Sequence, residues 1–288
     1  EIRMPEEWDG IIPTEVFLHE ARRIVDEAND RALTLRVLGG VGIRLLTPNH
    51  VEVAKRLGRL GEGEQEFTDL DFMSYKKQRK KMKSFFEELG YGKRRATLST
   101  AASERQIYFH PDGWFFVDVF FDKLLVANHP LDLRGRLELA SLTLTPADLL
   151  LEKVQIVNMG DKDVKDTVVL LLAHDVGNSD EDGEINGQHI AQLLSADWGF
   201  WYTVTTNLDG LRDHISEMGG LSQEETGILQ DRIGTLLDRL ESEPKSFRWK
   251  ARAQVGPRVR WYEPVETIDT VGGFGIWRVP EERKEAER

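Results

Sequence analysis

Asp69 and Asp71 sit one residue apart in the run Thr68-Asp69-Leu70-Asp71-Phe72. In an extended strand, residues i and i+2 point to the same side. Two carboxylates on one face repel each other and resist desolvation. A divalent cation between them relieves both costs, and hard cations such as Mg²⁺ select oxygen ligands. Asp118 is placed the same way, alone in the apolar run Trp114-Phe115-Phe116-Val117-Asp118-Val119-Phe120-Phe121. Asp122 shares its parity and is the competing third carboxylate. Asp118 is preferred because it lies mid-strand, whereas Asp122 stands beside Lys123 near the end. Three aspartates on apolar strands point to one Mg²⁺ site across a sheet, with Mn²⁺ as the alternative ion. The plainer reading has Asp69 and Asp71 facing water from an edge strand and Asp118 capping a bulge or paired with a core arginine.

Gly39-Gly40 closes an earlier apolar strand and leads into a helix. Free N–H groups at such a helix start favour phosphate. A phosphate turn, two carboxylates and a third carboxylate are the equipment for metal-assisted transfer of a nucleotide. Metal ions would neutralise charge on phosphorus and on leaving pyrophosphate. The third carboxylate would ligate metal or take the proton of an incoming hydroxyl.

The elements that must position these groups follow from periodicity. Residues 13–29 predict an amphipathic helix, with Val16, Phe17, Ala21, Ile24 and Val25 on one face. Leu33–Leu38 predicts a strand, then a helix over 41–46 and another over 50–60. A loop at 61–64 precedes the aspartate strand. A basic helix over 76–89 stops at Gly90. Residues 95–99 and 105–110 read as extended, and Pro111-Asp112-Gly113 as the turn of a hairpin into 114–121. Further strands are expected within 131–143. Thr145-Pro146-Ala147-Asp148 predicts a helix start, and helices follow to about 157 and over 161–173. Residues 187–217 and 222–240 predict helices, the latter with Ser222 and Glu225 as a capping box. The tail from 244 shows no period. The expected fold is α+β or α/β, a mixed β-sheet flanked by helices and followed by a C-terminal helical domain. The expected domains are 1–175 and 176–288.

Composition narrows the function classes. Of 288 residues, 40% are hydrophobic and 31% charged, with a net charge of −12. That balance argues against bulk, sequence-independent nucleic-acid binding. The chain has no cysteine, which removes disulfides, thiolate metal sites and thiol catalysis. No run is long and apolar enough to predict a membrane span, and residues 1–5 lack an apolar signal region, so a cytoplasmic location is expected.

Gly39-Gly40, Thr68-Asp69-Leu70-Asp71, Asp118, Leu150-Leu151-Glu152-Lys153 and Lys162-Asp163-Val164-Lys165-Asp166 together resemble the nucleotidyltransferase-fold superfamily. Within it they look like the group around the AbiEii-type abortive-infection toxins. The resemblance covers roughly residues 30–175. It implies that Asp69, Asp71 and Asp118 hold metal and that Gly39 and Gly40 bind nucleotide triphosphate such as ATP. It also implies that Lys153 contacts phosphate and that Asp163 and Asp166 belong to the nucleotide site. The implied acceptor is a hydroxyl of RNA (a tRNA end included), a protein or a small molecule, and a toxin–antitoxin partnership is the implied setting. The chain departs from the pattern in the longer stretch between Gly40 and Asp69, and in a glycine where many members carry serine. These departures keep a second expectation in play, a non-catalytic module that senses nucleotide or binds a partner.

Other motifs carry weaker signals. Lys76, Lys77, Arg79, Lys80, Lys81 and Lys83 put six positive charges in eight residues. They form either a solvated helix face or a landing strip for a polyanion, extended by Lys93, Arg94 and Arg95. Residues 178–189 resemble an EF-hand loop, but His189 stands where the bidentate glutamate belongs, which favours a plain acidic loop. His174-Asp175 matches part of a His-Asp phosphohydrolase pattern. No serine-hydrolase elbow or P-loop lysine is present.

Overall fold

The computed structural model describes residues 5–59, 65–94, 105–125, 127–181 and 183–264. Its helices, in chain order, are α1 (Thr14–Asp30), α2 (Gly39–Leu46), α3 (Val51–Arg56), α4 (Arg79–Glu88), α5 (Pro146–Val154), α6 (Asp161–Ala173), α7 (Gly187–Leu194), α8 (Trp198–His214), α9 (Gln223–Ser242) and α10 (Phe247–Val255). Its strands are β1 (Leu35–Leu38), β2 (Asp69–Ser74), β3 (Gly92–Lys93), β4 (Gln106–Phe109), β5 (Phe116–Phe121), β6 (Lys123–Leu124), β7 (Leu131–Asp132), β8 (Val176–Gly177) and β9 (Ile185–Asn186). The chain forms two compact units. One is Glu1–Leu46, Leu60–Val126 and Pro130–Thr145; the other is Thr47–Arg59, Ala127–His129 and Pro146–Arg288.

The first unit is a mixed sheet in the order β1-β2-β5-β4-β3, with β6 and β7 extending from β5. Among the described strands of this sheet, β2 and β5 run parallel and the other strand pairs are antiparallel. Alternation along the strands sends Leu35, Val37, Leu70, Phe72, Val117, Val119, Phe121 and Tyr108 to one face. There they meet Phe17, Ala21 and Ile24 of α1 and Met82, Phe85 and Phe86 of α4. Removing such side chains from water supplies roughly 1.5–3 kcal/mol each. That face fixes the register, so the remaining positions of β2, β5 and β4 must point the other way.

The described residues of the second unit are helical apart from the short parallel β8–β9 pair and connecting loops. Within it α9 packs against α6, α7 and α8. Ser222 and Glu225 form the expected capping box at the start of α9. The helix expected over 187–217 is two helices: the first stops at Leu194 with Ser195 at its C-cap, and Asp197 caps the next, the Phe200 N–H donating to its Oδ1 over 3.0 Å. α10 lies in the tail where no period is legible, and none of its residues is buried. A helix without an apolar stripe leaves no pattern to read.

The continuous part of the second compact unit runs from Pro146, and within it α5 packs on α6 and α6 on α9. The unit also takes in residues 47–59, where, among the described residues of the helix expected over 50–60, Val51–Arg56 is α-helical. Of the strands expected within 131–143, Leu131–Asp132 forms a strand and Thr143 a single bridge to Val37. The loop at 61–64, the extended stretch at 95–99 and the tail beyond 264 lie outside the described residues. Among the described residues no helix is long and apolar enough to cross a membrane.

Candidate active site

The register of the first unit's sheet brings the three sequence-predicted aspartates together on its second face. Leu38, Asp71, Asp118 and Ile107 align in one row across β1, β2, β5 and β4. The Arg94 N–H donates to the Ile107 carbonyl over 2.9 Å, which puts Arg94 at the end of that row. The neighbouring row is Asp69, Phe116, Phe109 and Gly92. Adjacent strands lie roughly 4.8 Å apart and alternate residues of one strand about 6.6 Å apart. Asp71 and Asp118 are therefore direct neighbours, with Asp69 one row away on the same face. Asp69 is exposed, and Asp71 and Asp118 are half-buried.

Asp118 sits where its charge is least welcome. Burial pushes its carboxyl up to about 6; Arg105 and, more weakly, Arg94 pull it down, and the charge of Asp69 adds to the rise. Arg105 Nη1 donates to Asp118 Oδ2 over 2.9 Å. The other oxygen, Oδ1, is buried and has no hydrogen-bond partner. A buried, unpartnered carboxylate oxygen is costly and calls for a cation or a donor. Arg105 is the arginine partner that the plainer reading of Asp118 anticipates. Asp122 is not a rival: it leaves the strand in a left-handed conformation, φ 59°. Its Oδ1 accepts the Lys76 N–H over 3.0 Å, fixing the turn into α4.

Gly39 opens α2, two residues earlier than the sequence predicts, and its φ is +71°. A Cβ there would stand 2.8 Å from Asp71 Oδ2. The strand–helix junction therefore touches the carboxylate, and only glycine permits both the backbone turn and the approach. The donors suit a hard divalent cation: oxygen only, two facing carboxylates and one orphaned oxygen. They are not gathered around a point, for among the described residues no three His, Asp or Glu groups are placed to hold a metal ion.

Lys153, Asp163 and Asp166 belong to the second unit. Lys153 Nζ lies 3.2 Å from both Asp163 Oδ1 and Asp166 Oδ2, and Arg59 Nε lies 2.6 Å from Asp166 Oδ1. Lys153 and Asp166 are 8% and 5% exposed, so this is an interior ion network. Burial alone would pull the Lys153 amine down, but Asp163 and Asp166 more than offset it and hold it above its ordinary range. Burial would raise the Asp166 carboxyl, but Lys153 and Arg59 hold it low.

Elsewhere, Lys76, Lys77, Lys80, Lys81 and Lys83 are exposed. Lys83 pairs with Glu87 at 3.6 Å, while the Arg79 guanidinium lies 5.6 Å from the Phe121 ring centre. In the acidic loop, Asn186 caps α7 by accepting the His189 N–H, and its amide donates to Asp180 Oδ2 over 2.9 Å. His174 Nδ1 donates to the Gly183 carbonyl over 2.6 Å, and Asp175 pairs with Arg232. Arg105, Phe109 and Phe116 are the members of the aspartate face that sequence reasoning misses. Phe109 and Phe116 were legible in principle, from the same alternation that groups Asp69 with Asp71.

No family model matches the chain, and no curated protein matches it. Two solved structures resemble it. One is the solution structure of the antibiotic-resistance factor ANT(2'')-Ia, described as showing substrate-regulated conformation dynamics; it has 14% identity and a TM-score of 0.35 over 63% of this chain and 94% of that one. The other is an antigenic nucleotidyltransferase-like protein from Paracoccidioides brasiliensis, with 11% identity and a TM-score of 0.37 over 81% of this chain and 94% of that one.

Proposed function

We propose that the chain is a Mg²⁺-dependent nucleotidyltransferase that moves a nucleotide from a nucleoside triphosphate to a hydroxyl. The observation that carries this reading is the Asp71–Asp118 pairing across parallel strands, with Gly39 in contact range of Asp71 and Asp118 Oδ1 unpartnered. Asp69 and Asp71 supply the metal-facing carboxylates, with Asp118 beside them. The backbone N–H groups at Gly39-Gly40 receive the triphosphate. Bound Mg²⁺ supplies the positive charge that offsets the charge growing on phosphorus and on leaving pyrophosphate. Asp118 Oδ1 takes the proton of the attacking hydroxyl. A carboxyl near 6 is closer to the ideal for proton transfer at neutral pH than an ordinary one.

The balance is simple. The acceptor oxygen forms a bond to the α-phosphorus, the bond from that phosphorus to the bridging oxygen breaks, and pyrophosphate leaves. The test is pyrophosphate release from each labelled triphosphate with Mg²⁺. Asp69→Asn with Asp71→Asn is expected to lower it by at least a hundredfold, on the scale of losing a metal-assisted step. Full activity in that double variant would remove the site assignment.

A second reading, a nucleotide-binding module without turnover, is favoured by one observation: Arg105 already holds Asp118, as a counter-ion would in a site that needs no metal. Triphosphate binding by calorimetry, with no pyrophosphate from any acceptor, would select it.

A further inference from the structure

None of the residues of α10 is buried, so core packing does not explain its sequence. Its inner side is held by ring contacts. Trp249 meets Trp201 of α8 edge to face, with ring centres 5.1 Å apart, and the Arg252 guanidinium lies 4.7 Å from the Trp198 ring centre. Its outer side carries Phe247, Ala251 and Val255, each four residues on and therefore in one stripe. Phe247 is 86% exposed and Val255 41%; Ala251 is exposed too. Arg252 donates to the Gly256 and Val259 carbonyls over 2.6 Å each, which holds Val259, 58% exposed, beside the helix end. A benzyl group left in water, in line with further apolar side chains, marks a contact surface.

Charge says what it contacts. Residues 245–262 include six Lys or Arg and no Asp or Glu, in a chain whose net charge is −12. Lys245 is used within the unit, donating to the Glu241 and Glu243 carbonyls at the end of α9. Arg248, Lys250, Arg258 and Arg260 are exposed. Among the described residues no carboxylate pairs with Arg248, Lys250 or Arg258. Apolar groups and cations on one exposed helix suit a boundary that is apolar inside and anionic outside. The basic helix α4 differs, because its Met82, Phe85 and Phe86 are buried and it presents charge alone. A protein partner would need roughly 1,000 Å² of matched surface, more than this short stripe supplies, whereas a bilayer needs no matched shape. Repulsion between an anionic bilayer and the acidic remainder of the chain is screened beyond about 8–10 Å, so the near face decides.

We infer that α10 and the turn after it form a docking surface for a bilayer rich in anionic lipid. Phe247, Val255 and Val259 enter the upper acyl region, and Arg248, Lys250, Arg258 and Arg260 meet lipid phosphates. This contact lies on the surface and needs no membrane-spanning helix. It does not depend on the nucleotidyl-transfer reading.

The probe is a vesicle of phosphatidylcholine with about a third phosphatidylglycerol, anionic enough to attract basic segments. The full chain is floated with it on a density gradient. The chain is expected to float with these vesicles and to stay in solution with pure phosphatidylcholine. Arg248→Gln with Lys250→Gln should lower the partition coefficient tenfold or more, at about fivefold per cation. Phe247→Ala should lower it at least about fivefold, while Phe247→Trp, an aromatic suited to the interface, should keep it. Raising the ionic strength from about 0.1 to about 1 M should release the chain. Thermal melts should be unchanged in all of these variants, since none of the altered side chains is buried. Lys80→Gln with Lys81→Gln, on α4, should leave binding within about twofold.

No flotation with the anionic vesicles overturns the inference, and so does equal flotation with neutral ones. Binding that follows the α4 lysines and ignores α10 also overturns it. If the vesicles leave the chain in solution while immobilised polyglutamate retains it through Arg248 and Lys250, the surface serves an acidic protein and the lipid inference falls.

Discussion

At the scale of single residues, Asp118 concentrates the site's physics in one carboxyl. Its pKa is about 6 in the folded chain against 3.8 for the free group. At low pH it is protonated in both states and costs nothing. As pH rises past about 3.8 the unfolded chain ionises first, so stability falls until the folded group ionises near 6, and above that the penalty is constant. Asp118→Asn removes the penalty while its amide oxygen can still accept from Arg105. The expected outcome is a variant more stable than the parent by about 1–3 kcal/mol at pH 8 and equal to it near pH 3. Urea denaturation at several pH values measures it, and a difference that does not change between pH 3 and pH 8 would remove the account. The three aspartates were legible because a polar residue in an apolar strand breaks the pattern. Arg105 was not, since its partnership with Asp118, 13 residues on, exists only once the β4–β5 hairpin has its register. Phe116 shares the parity of Asp118, so alternation assigns it to the aspartate face, but in a run of phenylalanines and valines its residue type gives no sign that this ring is the outward one.

At the scale of elements, the junction between β1 and α2 makes the sharpest demand. Gly39→Ala places a Cβ in a left-handed backbone, a cost of about 1–2 kcal/mol, and drives it to 2.8 Å from Asp71 Oδ2. Asp71 must move, so triphosphate binding should fall along with stability. Calorimetry and thermal melts on one sample separate the two effects. A variant with ordinary triphosphate affinity would show that the junction does not form the phosphate site. Sequence reading placed the strand and the glycine turn but started the helix at Val41. Glycine reads as a break in a one-dimensional pattern, yet here it opens the helix from a left-handed backbone, φ +71°, that brings it up against Asp71. The same limit split the helix over 187–217: Asp197 is an ordinary polar residue in the pattern and a cap in the structure.

At the scale of the whole molecule, the departure from the expected nucleotidyltransferase spacing finds a structural use. Residues 47–59, part of the excess length between Gly40 and Asp69, join the second unit. Within that unit Arg59 binds Asp166, Lys165 Nζ donates to the Gly58 carbonyl over 2.6 Å, and Arg56 pairs with Glu225 at 2.6 Å. No periodicity announces such a strap; it depends on ion pairs more than a hundred residues apart in sequence. Lys153 then has two possible meanings with opposite signatures. As a phosphate contact, its loss would lower triphosphate affinity and leave stability alone. As the centre of a buried network, its loss strands two carboxylates. The network geometry favours the second outcome: Lys153→Ala should destabilise the second unit by about 3–5 kcal/mol, the usual cost of breaking a buried ion pair on one side. Arg59→Ala should do the same through Asp166, and the two should be non-additive, because both act on one carboxylate. Adding Asp166→Asn to Lys153→Ala should restore part of the loss by removing one stranded charge. Denaturant melts of the four variants test it. Full stability in Lys153→Ala together with a large fall in triphosphate affinity would return Lys153 to the nucleotide site.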